Sequence, residues 1–276
     1  METEDGLRYL EETASVTQLD SFMIFGGEPM LYPERTISLF RKADELRIPT
    51  IQLITNGYWG KDPKKAEIHA SELKKAGVTD VLVSVDAFHL PHIPLDGPRN
   101  AAKASAEASI KRVRWNIAVV EGIDAENEYD QKTREVAETL EPLDIELSFN
   151  KIFPHGRARE NLKHFFPKQS LEGDCPEKED ALVNPSCISM DSAGWAAMCW
   201  NMAMGNAKES PLSELITEYS WESHPVTRTL VERGPFGLTG LPESLGFDLK
   251  EKYINKCHLC IELRRYMRKT YPEMFI

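Results

Sequence analysis

The chain holds five cysteines, Cys175, Cys187, Cys199, Cys257 and Cys260, and none lies before Cys175. Thiolates are nucleophiles, redox partners and soft metal ligands. Cys257 and Cys260 form a C-x-x-C pair, whose spacing suits a metal site or a redox pair, and the odd total argues against a disulfide framework. A second set of chemistry-bearing residues lies in the first half. In FMIFGGEPMLYPE (22–34), strand-forming residues end at Gly26, Gly27, Glu28 and Pro29. Paired glycines lose more backbone freedom on folding than any other pair, so this turn has a reason to be bare: another group approaches it closely. Further on, Asn56, Ser84, Asp86 and Asn116 sit at or near the ends of apolar runs. Each also has a structural explanation, since Asn56–Gly57 is an ordinary turn signal and Asp86 can cap the loop after it. His89 and His92 have helix-like spacing but enclose Pro91, which favours loop packing over metal ligation.

The elements that must position these residues follow from hydrophobic period. Strand-like runs at 21–25, 50–55, 80–86, 112–120 and 144–153 alternate with helical stretches. Pro33 suits a first helical position, and Ile37, Phe40, Ala43 and Leu46 fall on one face of the helix it opens. Asp62 is placed to cap the next helix, Pro63 to begin it and Gly77 to stop it. Helices near 100–110 and 125–140 complete four crossovers. Such alternation predicts an α/β fold with a parallel sheet, open or curled into a barrel, and ligands at the C-terminal ends of its strands. Ser84 shares a face with Asp86, and Arg114 with Asn116, because side chains alternate along a strand. Beyond about residue 155 the pattern changes to Pro- and Gly-rich loops, a hairpin turning at Asp191–Gly194, short helices near 211–219 and 225–232, and a last helix starting near Cys260. The expected domains are therefore 1–155 and 156–276.

Composition excludes some classes. With 276 residues, 41% apolar and 28% charged, the chain can bury a substantial core and is not a disordered protein. A formal charge of −11 argues against a broad grip on nucleic acid, and the basic run Arg264–Lys269 reads as a solvated helix face. No run approaches the roughly 20 apolar residues of a membrane span, and the acidic opening METEDGLRYLEE is unlike a signal peptide, so the expected location is the cytoplasm.

In order along the chain, FMIFGGEPMLYPE, ITNG, SVDAFH and HGRA resemble the radical S-adenosylmethionine (radical SAM) superfamily. The resemblance implies a partial (βα)6 TIM-like barrel in which the Gly26–Pro29 turn closes a strand and offers backbone to the amino group of the SAM methionine. By the same resemblance, Asn56, Ser84, Asp86 and Asn116 fall where relatives contact the ribose, the methionine carboxylate or the substrate. The second part is similar to the SPASM and twitch extensions, which hold auxiliary iron–sulfur clusters. It implies one 4Fe–4S cluster on Cys187, Cys199, Cys257 and Cys260, with Cys175 as a surplus thiol or a replacement ligand. A structural zinc site and a redox pair remain competing readings of the same cysteines.

The superfamily's C-x3-C-x2-C motif, which holds the cluster that reduces SAM, does not occur in this sequence. The helix expected in residues 2–19, with Leu7, Leu10 and Ala14 on its apolar side, resembles the one that follows that motif in relatives. Taken together these imply a barrel missing its first strand through N-terminal truncation. The expected function is a radical SAM enzyme that modifies peptides or proteins, served by an electron donor such as a ferredoxin or flavodoxin. The alternative is an inactive radical SAM-like binding module with a zinc or iron–sulfur site.

Overall fold

The computed structural model describes residues 1–249 and 253–275. They form two compact units, one of Gln18–Phe153 and one of Met1–Thr17 with Pro154–Ile276. The first helix, α1 (Thr3–Val16), thus packs within the second unit, whereas the division expected from sequence placed it with the strands. The reason is its buried side: Tyr9 sits in a cluster with Ala196, Ala207 and Leu212. Two polar contacts fix it there, Arg8 donating to Ala207 O at 3.2 Å and Glu12 accepting from Leu212 N at 2.6 Å.

Gln18–Phe153 is an α/β unit. Strands β1 (Ser21–Ile24), β2 (Thr50–Thr55), β3 (Asp80–Ser84), β4 (Arg112–Val119) and β5 (Glu146–Lys151) form one sheet in the order β1-β2-β3-β4-β5, every neighbour parallel. Helices α2 (Pro33–Glu45), α3 (Pro63–Lys75), α4 (Asp96–Glu107) and α5 (Glu128–Leu140) make the crossovers, giving a partial TIM-like barrel. Alternate residues Ile51, Leu53, Val81, Val83, Trp115 and Ile117 are buried, and Phe22 meets Phe40 of α2 edge-on. Burying each such side chain stabilises the unit by about 1.5–3 kcal/mol. The helix starts follow local chemistry. Pro33 and Pro63 occupy first turns, and Asp62 accepts from Lys64 N and Lys65 N. Asp130 of α5 is buried and accepts from the backbone N–H groups of Val120, Glu121 and Gly122, locking the turn after β4.

The second unit adds α6 (Gly156–Asn161), a three-stranded antiparallel sheet of β6 (Ser189–Met190), β7 (Trp195–Cys199) and β8 (Met202–Asn206), and helices α7 (Leu212–Thr217), α8 (Pro225–Gly237) and α9 (Lys256–Met267). The hairpin turn falls at Asp191–Gly194, where Asp191 Oδ1 accepts from Ala193 N and Trp195 N at 2.9 Å each and Gly194 adopts φ +95°. Its core gathers Leu182, Met202, Val226, Leu230, Leu259, Cys260, Leu263 and Phe275. Helix α9 begins before Cys260, because Asn255 caps it by accepting from His258 N at 2.8 Å. The C-x-x-C pair therefore lies in the opening turns of a helix.

Candidate functional site

At the C-terminal ends of β1, β2 and β3 lies a cavity of about 330 Å³. Gly26 and Gly27 line it, with φ of +84° and +52°. A Cβ on either would meet no protein atom within 4 Å, so glycine is required here by the left-handed backbone, and the space beside it is open. Glu28 does not face this space as a free carboxylate. Its Oε1 accepts from Met30 N at 3.0 Å and from the Thr55 hydroxyl at 2.7 Å, and its Oε2 accepts from Asn56 N at 2.7 Å. It staples the turn after β1 to the end of β2. Pro29 is buried, and its carbonyl accepts from the Thr36 hydroxyl at 2.8 Å. The last two residues of the GGEP turn thus hold the first two in place.

Of the other expected residues, Asn56 and Ser84 line the cavity and Asp86 and Asn116 support its wall. The Asn116 amide donates to Ser84 Oγ at 3.1 Å and accepts from Asn150 at 2.9 Å, a relay across β5, β4 and β3 that orients the Ser84 hydroxyl. Asp86 is buried. Its Oδ1 accepts from Phe88 N and His89 N, its Oδ2 accepts from Ala118 N at 3.1 Å, and its Oδ1 also pairs with His89 Nδ1 at 2.9 Å. That pairing holds the ring through Nδ1, and both His89 and His92 line the cavity. The hydrogen bond from Asp86, outweighing partial burial and reinforced by the Asp86 charge, raises the His89 pKa. A cavity with bare backbone on one side, an amide and a hydroxyl between, and an imidazole that favours the charged form suits a ligand carrying both an amino group and a carboxylate. Sequence reading assigned His89 to loop packing; the D-x-x-H spacing of Asp86 and His89 was the available signal.

In the second unit the thiols that act on one another are Cys175, Cys199, Cys257 and Cys260. Three of them, Cys175, Cys199 and Cys260, also touch one apolar cluster. Cys187 is exposed and is not among the thiols that act on Cys175. Burial, reinforced by the neighbouring thiols, pushes Cys175 up to about 12 and Cys257 up to about 11, and burial raises Cys199 as well. Burial in an apolar site thus makes Cys175, Cys199 and Cys257 resist ionising. Among the described residues no three His, Cys, Asp or Glu side chains are grouped closely enough to hold a metal ion. Arg264 of α9 is buried at 2% exposure, and its charge acts on Cys199 and Cys257 in the opposite sense, lowering both.

Residues 1–119 match the radical SAM superfamily. Over 162 residues the chain is 28% identical to a probable GTP 3',8-cyclase of Aeropyrum pernix, an alignment covering 56% of this chain and 41% of that protein. The chain therefore spans less than half the length of the curated relative it matches. The matched stretch includes the glycine-lined turn and most of the parallel sheet, so over residues 1–119 the chain is similar to the radical SAM superfamily. Among the described residues no helix is long and apolar enough to cross a membrane.

Proposed function

We propose that this chain forms the SAM-cradling and auxiliary-cluster portions of a radical SAM enzyme that modifies peptide or protein substrates. The observation that carries the reading is the cavity lined by Gly26, Gly27, Asn56, Ser84 and His89, whose donor and acceptor set matches the amino and carboxylate ends of a methionine. Gly26 and Gly27 give the ligand's amino group access to backbone carbonyls, Asn56 and Ser84 hold polar atoms further in, and His89 faces the carboxylate. In the second unit, Cys175, Cys199, Cys257 and Cys260 would hold an iron–sulfur cluster of the SPASM or twitch type. Such a cluster supplies electron relay or substrate anchoring. The peptide-directed role rests on the resemblance of that extension to those of peptide-modifying relatives, and an electron donor of the ferredoxin or flavodoxin class completes the set.

Two measurements test this. Isothermal titration of the purified chain with SAM is expected to show one binding event that Gly26→Val abolishes, and GTP in the same titration competes only if the substrate named for the Aeropyrum relative is also this chain's. Anaerobic reconstitution with iron and sulfide is expected to give broad visible absorbance and about four irons per chain, whereas one colourless zinc would overturn the cluster. A second reading is favoured by one fact: the sequence contains no C-x3-C-x2-C motif. Under it the chain binds SAM without cleaving it and serves as a recognition module. Release of 5′-deoxyadenosine under reducing conditions would overturn this second reading, whereas no release from this sequence alone is expected under both.

A further inference from the structure

Strand register decides which polar side chains can meet on one face of the sheet. Ser84 of β3 stands beside Asn116 of β4, and Asn116 beside Ser148 of β5, with Asn150 two residues further along β5 on the same face. The amides link across these strands in one direction. Asn150 Nδ2 donates to Asn116 Oδ1 at 2.9 Å, and Asn116 Nδ2 donates to Ser84 Oγ at 3.1 Å. The β5 end anchors that direction: Asn150 Nδ2 also reaches the Ser148 carbonyl at 3.4 Å, and a carbonyl accepts but cannot donate. At the cavity end the Ser84 oxygen is already accepting, so its hydroxyl is left with a hydrogen to give. Asp86 does not take it, because its oxygens accept from Phe88 N, His89 N and Ala118 N and pair with His89 Nδ1. Ser84 is only 5% exposed and lines the cavity, where a buried donor without an acceptor is costly. Building on the reading of the cavity as a SAM site, we propose that Asn150, itself outside the cavity lining, is a positioning residue that makes Ser84 a hydrogen-bond donor and so fixes which end of the ligand lies against it. A carboxylate, hydroxyl or ether oxygen can accept there and an ammonium cannot, which leaves the ligand's amino group to the Gly26–Gly27 side.

The test titrates the full chain with SAM by calorimetry, as wild type, Ser84→Ala, Asn150→Asp and the double variant. The carboxylate introduced by Asn150→Asp can only accept, so the Asn116 amide turns over: its Nδ2 faces position 150 and its Oδ1 takes the Ser84 hydrogen. Asn150→Asp is expected to weaken SAM binding about three- to tenfold, as much as Ser84→Ala, with the melting temperature held within a few degrees. The double variant is expected to bind no more weakly than either single one, since both changes remove the same donor. The added charge alone predicts the opposite, because SAM carries a net positive charge that a nearby carboxylate attracts. Asn116→Asp, whose carboxylate takes the Ser84 hydrogen directly, is expected to match them. If wild type binds SAM and Asn150→Asp binds it as tightly, or if the losses from Ser84→Ala and Asn150→Asp multiply, the inference is overturned and the SAM reading stands. If wild type binds no SAM, both fall. Should Asn150→Asp fail to fold by circular dichroism, Asn116→Asp decides in its place, on the same affinity and the same cycle with Ser84→Ala.

Discussion

Glu28 shows how a residue can belong to a binding motif without touching ligand. Its carboxylate accepts from Met30 N, Thr55 Oγ1 and Asn56 N, so Glu28→Ala leaves three donors short of an acceptor and lets the Gly26–Gly27 turn drift. The expected loss is about 2–4 kcal/mol in denaturant unfolding, together with weaker SAM binding. Glu28→Gln, which keeps one acceptor oxygen, falls between. Under the proposed reading His89 faces the ligand. Its pKa in the folded chain is raised by Asp86, so the stability it adds is present below the unfolded value near 6.5 and is lost as pH rises through the folded value. The difference in stability between wild type and His89→Gln is expected to shrink as pH rises above the unfolded value near 6.5, and SAM affinity to weaken in the same direction. An affinity that is flat across that range would remove His89 from the ligand's carboxylate. The glycines were legible in sequence because φ preference is a property of the residue itself. The place of Cys175 beside Cys199, Cys257 and Cys260 was not, because it comes from burial and from neighbours distant in the chain.

Elements were legible where one local rule decided them. Pro33, Asp62 and Pro63 mark helix starts that the structure keeps, and the five strand runs appear in their expected places. The docking of α1 was not legible, since an apolar stripe names a face and leaves its partner open. Tyr9 is the residue to probe. It is buried with Ala196, Ala207 and Leu212, so Tyr9→Ala is expected to destabilise the second unit by about 3–5 kcal/mol. Hydrogen exchange should then rise in β7, β8 and α7 while β2 and β3 remain protected. Asp130 fixes the other unit in the same way. Burial pulls its pKa upward, but the backbone N–H groups of Glu121, Val120 and Gly122 and the Asn127 amide overcome this and lower it. Its contribution is therefore present above the unfolded value near 3.8 and lost as pH falls through the folded one, and Asp130→Asn should flatten the acid limb of the stability curve.

At the scale of the molecule, charge and exposed apolar surface oppose each other. Among the described residues strand β1 pairs on one side only, and Met23, Phe25, Leu31 and Tyr32 on or just after it are exposed, Phe25 at 58% and Tyr32 at 64%. An edge strand with free backbone groups beside apolar side chains is a template for pairing with another chain. The net charge of −11 holds copies apart at low ionic strength, and the Debye length falls from about 30 Å at 0.01 M to about 8 Å at 0.15 M salt. Association is therefore expected to grow with added salt, the opposite of an assembly held by ion pairs. Met23→Lys places a charge in the middle of the edge and should suppress that growth in light scattering without lowering the melting temperature by more than a few degrees. If the chain stays monodisperse as salt is raised, the β1 edge is protected by some other means. If Met23→Lys associates as readily as wild type, the contact lies elsewhere on the surface, with exposed Phe149 on β5 the next position to charge.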